Sequence, residues 1–248
     1  TDIHVPLLHE RPYVGITLDW LQRSGTLVEQ EGWERFRVPG GQSYPSFSRD
    51  VPGDYSSATF FLCAAAITGA ELALTGLAPD DTQGDRAVLD YLAAMGADVA
   101  WGDEGLRIRG GALRGGEFDL NATPDALPAM AVTACFAEGE TRLVNVPQAR
   151  IKETDRLSVM CSELTKMGAR VAELEDGLVI QGGGLTGARV EGHDDHRVVM
   201  ALAVAGLAAQ GTTEITTAES AAVTFPSFVP LMRTLGASIE QRKPGGGG

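Results

Sequence analysis

Residues 125–139, DALPAMAVTACFAEG, open on an acidic residue, run through alanine, valine and methionine, and close on glycine. The same phrase recurs from Asp54 to Gly69 and from Asp194 or Asp195 to Gly211. Each copy is apolar on nearly all sides, which predicts a buried helix, and the leading aspartate can cap the free N–H groups of its first turn. A second phrase, a short amphipathic stretch ending in Gly-Ala, occurs at Asp85 to Ala97, Asp155 to Ala169 and Phe228 to Ala237. Its 3.6-residue periodicity and glycine stop predict a second helix. A third, an alternating stretch closing on paired glycines, reads GLRIRGG from 105 and GLVIQGG from 177.

The stop glycines Gly96, Gly168 and Gly236 lie about 70 residues apart, so a unit of that length occurs three times, with its last strand cut short at the C-terminus. Strands such as ELALTG and TRLVNV follow the buried helices, and DVAWG with LRIRG makes a hairpin-like pair. The unit is therefore β-α-β-α-β-β in cyclic order. Three units packing their helices inward predict an α/β (α+β) domain with sheets outside, over residues 46–243. The beginning differs: PYVGITLDWLQRSG followed by RFRVPGG matches only the second half of a unit, with Gly25 standing where Gly96 stands. Residues 1–45 are thus expected to be the tail end of another, incomplete domain, and residues 244–248 a flexible glycine tail.

A composition of 44% hydrophobic and 21% charged residues in 248 is that of a globular protein with a real core. The formal net charge of −13 opposes a role on nucleic acid or an anionic membrane, and an anionic small substrate would need a local cationic pocket. Cys63, Cys135 and Cys161 are isolated within apolar stretches and lack C-x-x-C spacing, so they read as core thiols in a reducing compartment. No basic-then-apolar leader opens the sequence, and the longest apolar run, around Ala58 to Ile67, falls far below the roughly 20 residues that span a bilayer. A cytoplasmic location is the expectation.

The polar residues that do not fit a core gather near the helix starts. They are Asp125 after Pro124, the run Arg150-Ile151-Lys152-Glu153-Thr154-Asp155-Arg156, and Asp194-Asp195-His196-Arg197. If a helix starts near Thr154, Lys152, Glu153 and Arg156 can project to one side. A solvated helix start of mixed charge is the alternative, as are a plain N-cap for Asp125 and a satisfied histidine for His196. Arg197 is followed by Val198, Val199, Met200 and Ala201, whose burial makes an unpartnered charge there costly. Repeated helix starts around one centre would create an anion-attracting face. No metal is expected: Asp194, Asp195 and His196 are adjacent and so point apart, and no second cluster has ligand spacing. GGGLTG from 182 lacks the Lys-Ser of a nucleotide loop.

GDYSSATFFLCAAAI, PDALPAMAVTACFA, RIKETDRLSVM and DDHRVVMALAVAG resemble, in order and spacing, the C-terminal part of the 5-enolpyruvylshikimate-3-phosphate synthase (EPSP synthase) family, and RPYVGITLDWL with GGQSY extends the match to nearly the whole chain. The resemblance implies an inside-out α/β barrel of three β-α-β-α-β-β repeats. It also implies transfer of the enolpyruvyl group from phosphoenolpyruvate to shikimate 3-phosphate, releasing phosphate, without a cofactor. By the same resemblance Asp125 handles the proton of the attacking hydroxyl, and Glu153 serves as acid or base toward the methylene of phosphoenolpyruvate. Arg156, His196 and Arg197, with Glu153, would contact phosphoenolpyruvate, and Tyr13, Asp125, Gln148 and Lys152 shikimate 3-phosphate. Two departures stand out. Val223 occupies a position where the family often has lysine, and the family's N-terminal half has no counterpart here, so the chain alone is expected to be inactive and to need that half as a partner. A UDP-N-acetylglucosamine enolpyruvyl transferase, or a non-catalytic binding module of the same fold, is the alternative.

Overall fold

The computed structural model describes residues 1–242; the glycine tail expected at 244–248 lies outside them. The chain begins with strand β1 (Asp2–His4), helix α1 (Arg11–Arg23) and strands β2 (Glu29–Glu31) and β3 (Arg35–Arg37). The three strands form one antiparallel sheet in the order β1-β3-β2. An exposed stretch without helix or strand, residues 38–54, leads to the repeats.

The first unit contains α2 (Tyr55–Thr68), β4 (Glu71–Leu74), α3 (Val88–Met95), β5 (Asp98–Gly102) and β6 (Gly105–Arg109). The second contains β7 (Glu117–Asp119), α4 (Leu127–Cys135), β8 (Glu140–Val144), α5 (Arg156–Lys166), β9 (Arg170–Leu174) and β10 (Gly177–Gln181). The third contains β11 (Arg189–Val190), α6 (His196–Ala208), β12 (Glu214–Ile215) and α7 (Phe228–Thr234). Among the described residues only the second unit is complete. Its sheet runs β7-β8-β10-β9, with β7 parallel to β8 and the rest antiparallel. The first sheet, β4-β6-β5, lacks the leading strand, and the third, the parallel pair β11-β12, lacks the closing hairpin.

Helices α2, α4 and α6 pack on one another at the centre. Every residue of α4 is buried, and α2 and α6 are buried over most of their lengths. Small alanines let the three axes approach closely, and the large side chains Phe60, Phe61 and Phe228 fill the end of this core edge-to-face. The outer strands alternate, as in β6, where Leu106 and Ile108 are fully buried while Arg107 and Arg109 face solvent. Gly25, Gly96, Gly168 and Gly236, the stop glycines of the sequence, all take positive φ (79°, 110°, 87° and 94°), the left-handed backbone that ends a helix without a Cβ clash.

The expected helix start near Thr154 is two residues early. Pro147–Ile151 forms a 3₁₀ turn, the chain then extends through Lys152, and α5 begins at Arg156 with Asp155 as its cap, accepting from the Ser158 N–H at 3.1 Å. Asp54 and Asp195 cap α2 and α6 as their position suggests. Asp125 does not. It lies in a 3₁₀ turn, Pro124–Ala126, ahead of α4, and makes no cap bond. No helix of the described residues is long and apolar enough to cross a membrane.

Candidate active site

The starts of α2, α4 and α6 face one another at one end of the buried bundle, and the polar residues collect there. Asp125, released from capping, is the hub. Its Oδ1 accepts from Nη1 of Arg156 at 2.8 Å, and its Oδ2 accepts from the Tyr13 hydroxyl at 3.0 Å and lies 3.1 Å from Nη2 of Arg197. Nζ of Lys152 stands 3.9 Å from Oδ1 and 5.8 Å above the Tyr13 ring. Burial pushes the Asp125 carboxyl upward, but Arg197, Arg156 and Lys152 outweigh it and hold the carboxyl below its ordinary value. It is therefore ionised at neutral pH.

Arg156 is only 1% exposed and spends its whole guanidinium on carboxylates. Besides Asp125, Nη2 donates to Oε2 of Glu153 at 2.5 Å, while Nε and Nη2 form a fork on Asp195 at 2.8 and 3.2 Å. Asp195 is fully buried, and it also receives the Arg197 N–H at 2.8 Å as the cap of α6. Burial raises its carboxyl, and Arg156 more than reverses this. Glu153 is half-exposed and reaches across to His196, with Oε1 3.8 Å from Nδ1. Burial and then the charge of Arg197 hold His196 below the ordinary histidine range, so the ring is neutral at pH 7, with one N–H to offer as donor.

The structure thus brings together Tyr13, Asp125, Lys152, Glu153, Arg156, His196 and Arg197. Lys152 and Arg156 meet through Asp125 rather than along one helix face, because residue 152 precedes the helix. Gln148 stays apart. Its Nε2 donates to the Asn121 carbonyl at 2.8 Å, while its buried Oε1 has no partner. Val223 is largely exposed at the end of a 3₁₀ turn. The described residues contain no cluster of histidine, cysteine, aspartate or glutamate able to hold a metal.

A family model described as EPSP synthase (3-phosphoshikimate 1-carboxyvinyltransferase) matches residues 1–232. The chain belongs to the EPSP synthase family. A 3-phosphoshikimate 1-carboxyvinyltransferase of Ruminiclostridium cellulolyticum is 56% identical over 240 residues, covering 97% of this chain and 57% of that protein. One from Methanocella arvoryzae is 48% identical over 235 residues, covering 94% and 55%. The solved EPSP synthase of Acinetobacter baumannii superposes with a TM-score of 0.85 at 30% identity, over 98% of this chain and 58% of the other. The inside-out α/β fold is therefore that of the family, and the chain spans somewhat over half the length of these EPSP synthase relatives.

Three residues of this candidate site were given no role in it by the sequence. Asp195 anchors Arg156, but its neighbour Asp194 is chemically identical and only the fold shows that 194 faces out and 195 inward. Glu10, in a left-handed turn before α1, pairs with Lys152 at 2.7 Å, a contact no local pattern announces. Asp85 is buried, accepts from Ser56 of α2, and has its carboxyl pushed up to about 6, first by burial and then, against Ser56 and Arg197, by Asp125 and Asp54. The only sequence sign of it was a helix-opening acid.

Proposed function

We propose that this chain supplies one side of an active site that transfers the enolpyruvyl group of phosphoenolpyruvate to shikimate 3-phosphate. The observation carrying this reading is the convergence of Arg156, Arg197 and Lys152 on a single carboxylate, in a protein whose overall charge is −13. Such a cationic patch, set at the starts of buried helices, suits two anionic substrates. Arg156, Arg197 and His196 hold the carboxylate and phosphate of phosphoenolpyruvate, and Lys152, Tyr13 and Gln148 hold shikimate 3-phosphate.

Without ligand the three cations are neutralised by the site's own carboxylates. An incoming phosphate that draws Arg197 or Lys152 away from Asp125 removes the charges that depress its pKa, so binding makes Asp125 a stronger base. In the addition step Asp125 accepts the proton of the attacking hydroxyl as its oxygen bonds to the central carbon of phosphoenolpyruvate, while Glu153, in its acid form, protonates the methylene. Elimination then breaks the bond between that carbon and the phosphate oxygen and returns a methyl proton to Glu153, while Asp125 passes the proton it took from the hydroxyl to the departing oxygen, so that hydrogen phosphate leaves and both carboxyls are restored. No cofactor is required by this proton balance. The remaining part of the site comes from the portion of the enzyme that these residues do not span, in a reducing, cytoplasmic setting that suits three free cysteines.

Phosphate release from the two substrates tests the reading. It is expected only when the missing N-terminal portion is added, because positioning and water exclusion together are worth about 7 to 11 kcal/mol. Asp125→Ala and Glu153→Ala should each then lower the rate by a factor on the order of 10² or more. Near-normal turnover in Glu153→Ala would remove that residue from the chemistry. NMR shifts near Tyr13 and Lys152 on adding a UDP-sugar, but not shikimate 3-phosphate, would favour the nucleotide-sugar transferase.

A further inference from the structure

A second buried carboxylate lies on α5, two turns beyond Arg156 and outside the Asp125 cluster. Glu163 is 1% exposed, and both of its oxygens are fully engaged. Oε1 accepts from Nζ of Lys166 at 2.7 Å and from Nε2 of His193 at 3.0 Å; Oε2 accepts from the same Nζ at 2.8 Å and from the Glu191 N–H at 2.9 Å. Two of these bonds reach across to the loop that leads into Asp195 and the first residues of α6, His196 and Arg197. We propose that Glu163 is a positioning residue that pins this loop to α5, and so sets where Asp195, His196 and Arg197 stand relative to Arg156. The inference rests on the reading of Arg156, His196 and Arg197 as the groups that hold phosphoenolpyruvate.

The loop needs such a pin. His193 and Asp194 are consecutive non-glycine residues in the left-handed region, at φ 52° and 55°. That backbone is unfavourable for L-residues and persists where the surroundings hold it. On one side Thr217 Oγ1 receives the Asp194 N–H at 3.2 Å, and the loop closes on itself through the Asp195 N–H and the Gly192 carbonyl at 3.0 Å. On the other side the only side chain of α5 bonded to residues 191–193 is Glu163. One helix therefore grips the loop twice, through Glu163 at residues 191 and 193 and through Arg156 at residue 195. With the first grip in place, the Arg156 fork meets Asp195 in register, and α6 starts where Arg197 can reach Asp125. A carboxylate is the right group because it accepts at both oxygens, while the Lys166 ammonium balances its charge. An amide would turn an N–H₂ toward donors.

The test compares the full chain with Glu163→Gln by amide hydrogen exchange over residues 191–197, by the NMR signal of Arg197 Nε, and by titration with phosphoenolpyruvate. Exchange in the loop should quicken about tenfold or more, the Arg197 signal should move, and phosphoenolpyruvate affinity should fall about tenfold, with the exchange of α2 and α4 unchanged. Loop exchange and an Arg197 signal identical to the parent's in folded Glu163→Gln would overturn the proposal. If the parent chain does not bind phosphoenolpyruvate yet the loop still loosens in the variant, the positioning role stands and the substrate reading falls. Should Glu163→Gln fail to fold, His193→Asn, which tolerates the left-handed backbone but is too short to reach Glu163, decides: a loosened loop supports the pin, and an unaltered one overturns it.

Discussion

At the residue scale Arg156 is the most constrained group in the site. Its guanidinium is buried and pairs with Asp125, Glu153 and Asp195 at once. Removing one partner of a buried ion network leaves the others uncompensated, so Arg156→Met should destabilise the chain by about 3 to 5 kcal/mol, read from urea unfolding. A loss under about 1 kcal/mol would mean that water already screens the network. Asp85 makes the opposite case. Its carboxyl is pushed up to about 6, mainly by burial, against an unfolded value near 3.9, so the folded state holds the proton more tightly. Stability is therefore lost as pH rises from about 4 through 6. Between pH 4 and pH 8 the parent should lose on the order of 1 to 3 kcal/mol relative to Asp85→Asn, which has no proton to lose. Parallel pH profiles for the two proteins would show that Asp85 is ionised at no cost.

At the scale of elements, the paired glycines that close β10 are not equivalent. A Cβ on Gly182 would run into the Ala137 carbonyl beyond the end of α4, whereas one on Gly183 would meet nothing within 4 Å. The close approach exists because the Gly182 N–H bonds to Gly139 and the Gly183 N–H to Cys135, tying the strand end to the helix end. Gly182→Ala is thus expected to cost about 2 to 4 kcal/mol and Gly183→Ala under about 1, measured by thermal unfolding. Equal effects would indicate that the strand end shifts freely. The sequence displayed both glycines as one repeated mark. Which of them the packing needs depends on a backbone about 45 residues earlier in the chain.

For the molecule as a whole, we propose that residues 46–243 form the three-repeat domain and that residues 1–45 belong to a neighbouring one. The joint between them, residues 38–54, has no helix or strand and is exposed at Tyr44, Phe47 and Val51. The leading segment is nevertheless tied to the site through Tyr13 on Asp125 and Glu10 on Lys152. Brief digestion with trypsin should therefore cut first at Arg49, leaving a stable fragment of the repeats. Protection of Arg49 equal to that of Arg107 or Arg109 on the outer sheet would count against a separate leading domain. Cutting at Arg49 and release of residues 1–49 should also free the Asp125 carboxylate from the Tyr13 hydroxyl, visible as a shift in its NMR signal.

The repeat, the order of helices and strands, the helix-ending glycines and the small-residue centre were all legible in the sequence. Each depends on local periodicity, or on a backbone conformation that few residues tolerate, and such signals survive in one dimension. The acidic and basic residues of the site were legible as a set for the same reason: charges at the mouths of apolar helices stand out. Their pairing was not. Tyr13 meets Asp125 across 112 residues and Arg156 meets Asp195 across 39, and these contacts took Asp125 out of the capping role that its position suggested. They also made Asp195, rather than its identical neighbour, the anchor of Arg156. Only the tertiary structure decides such matters, because the strength of a buried ion pair depends on the distance and desolvation of both partners, and neither is a property of a stretch of chain.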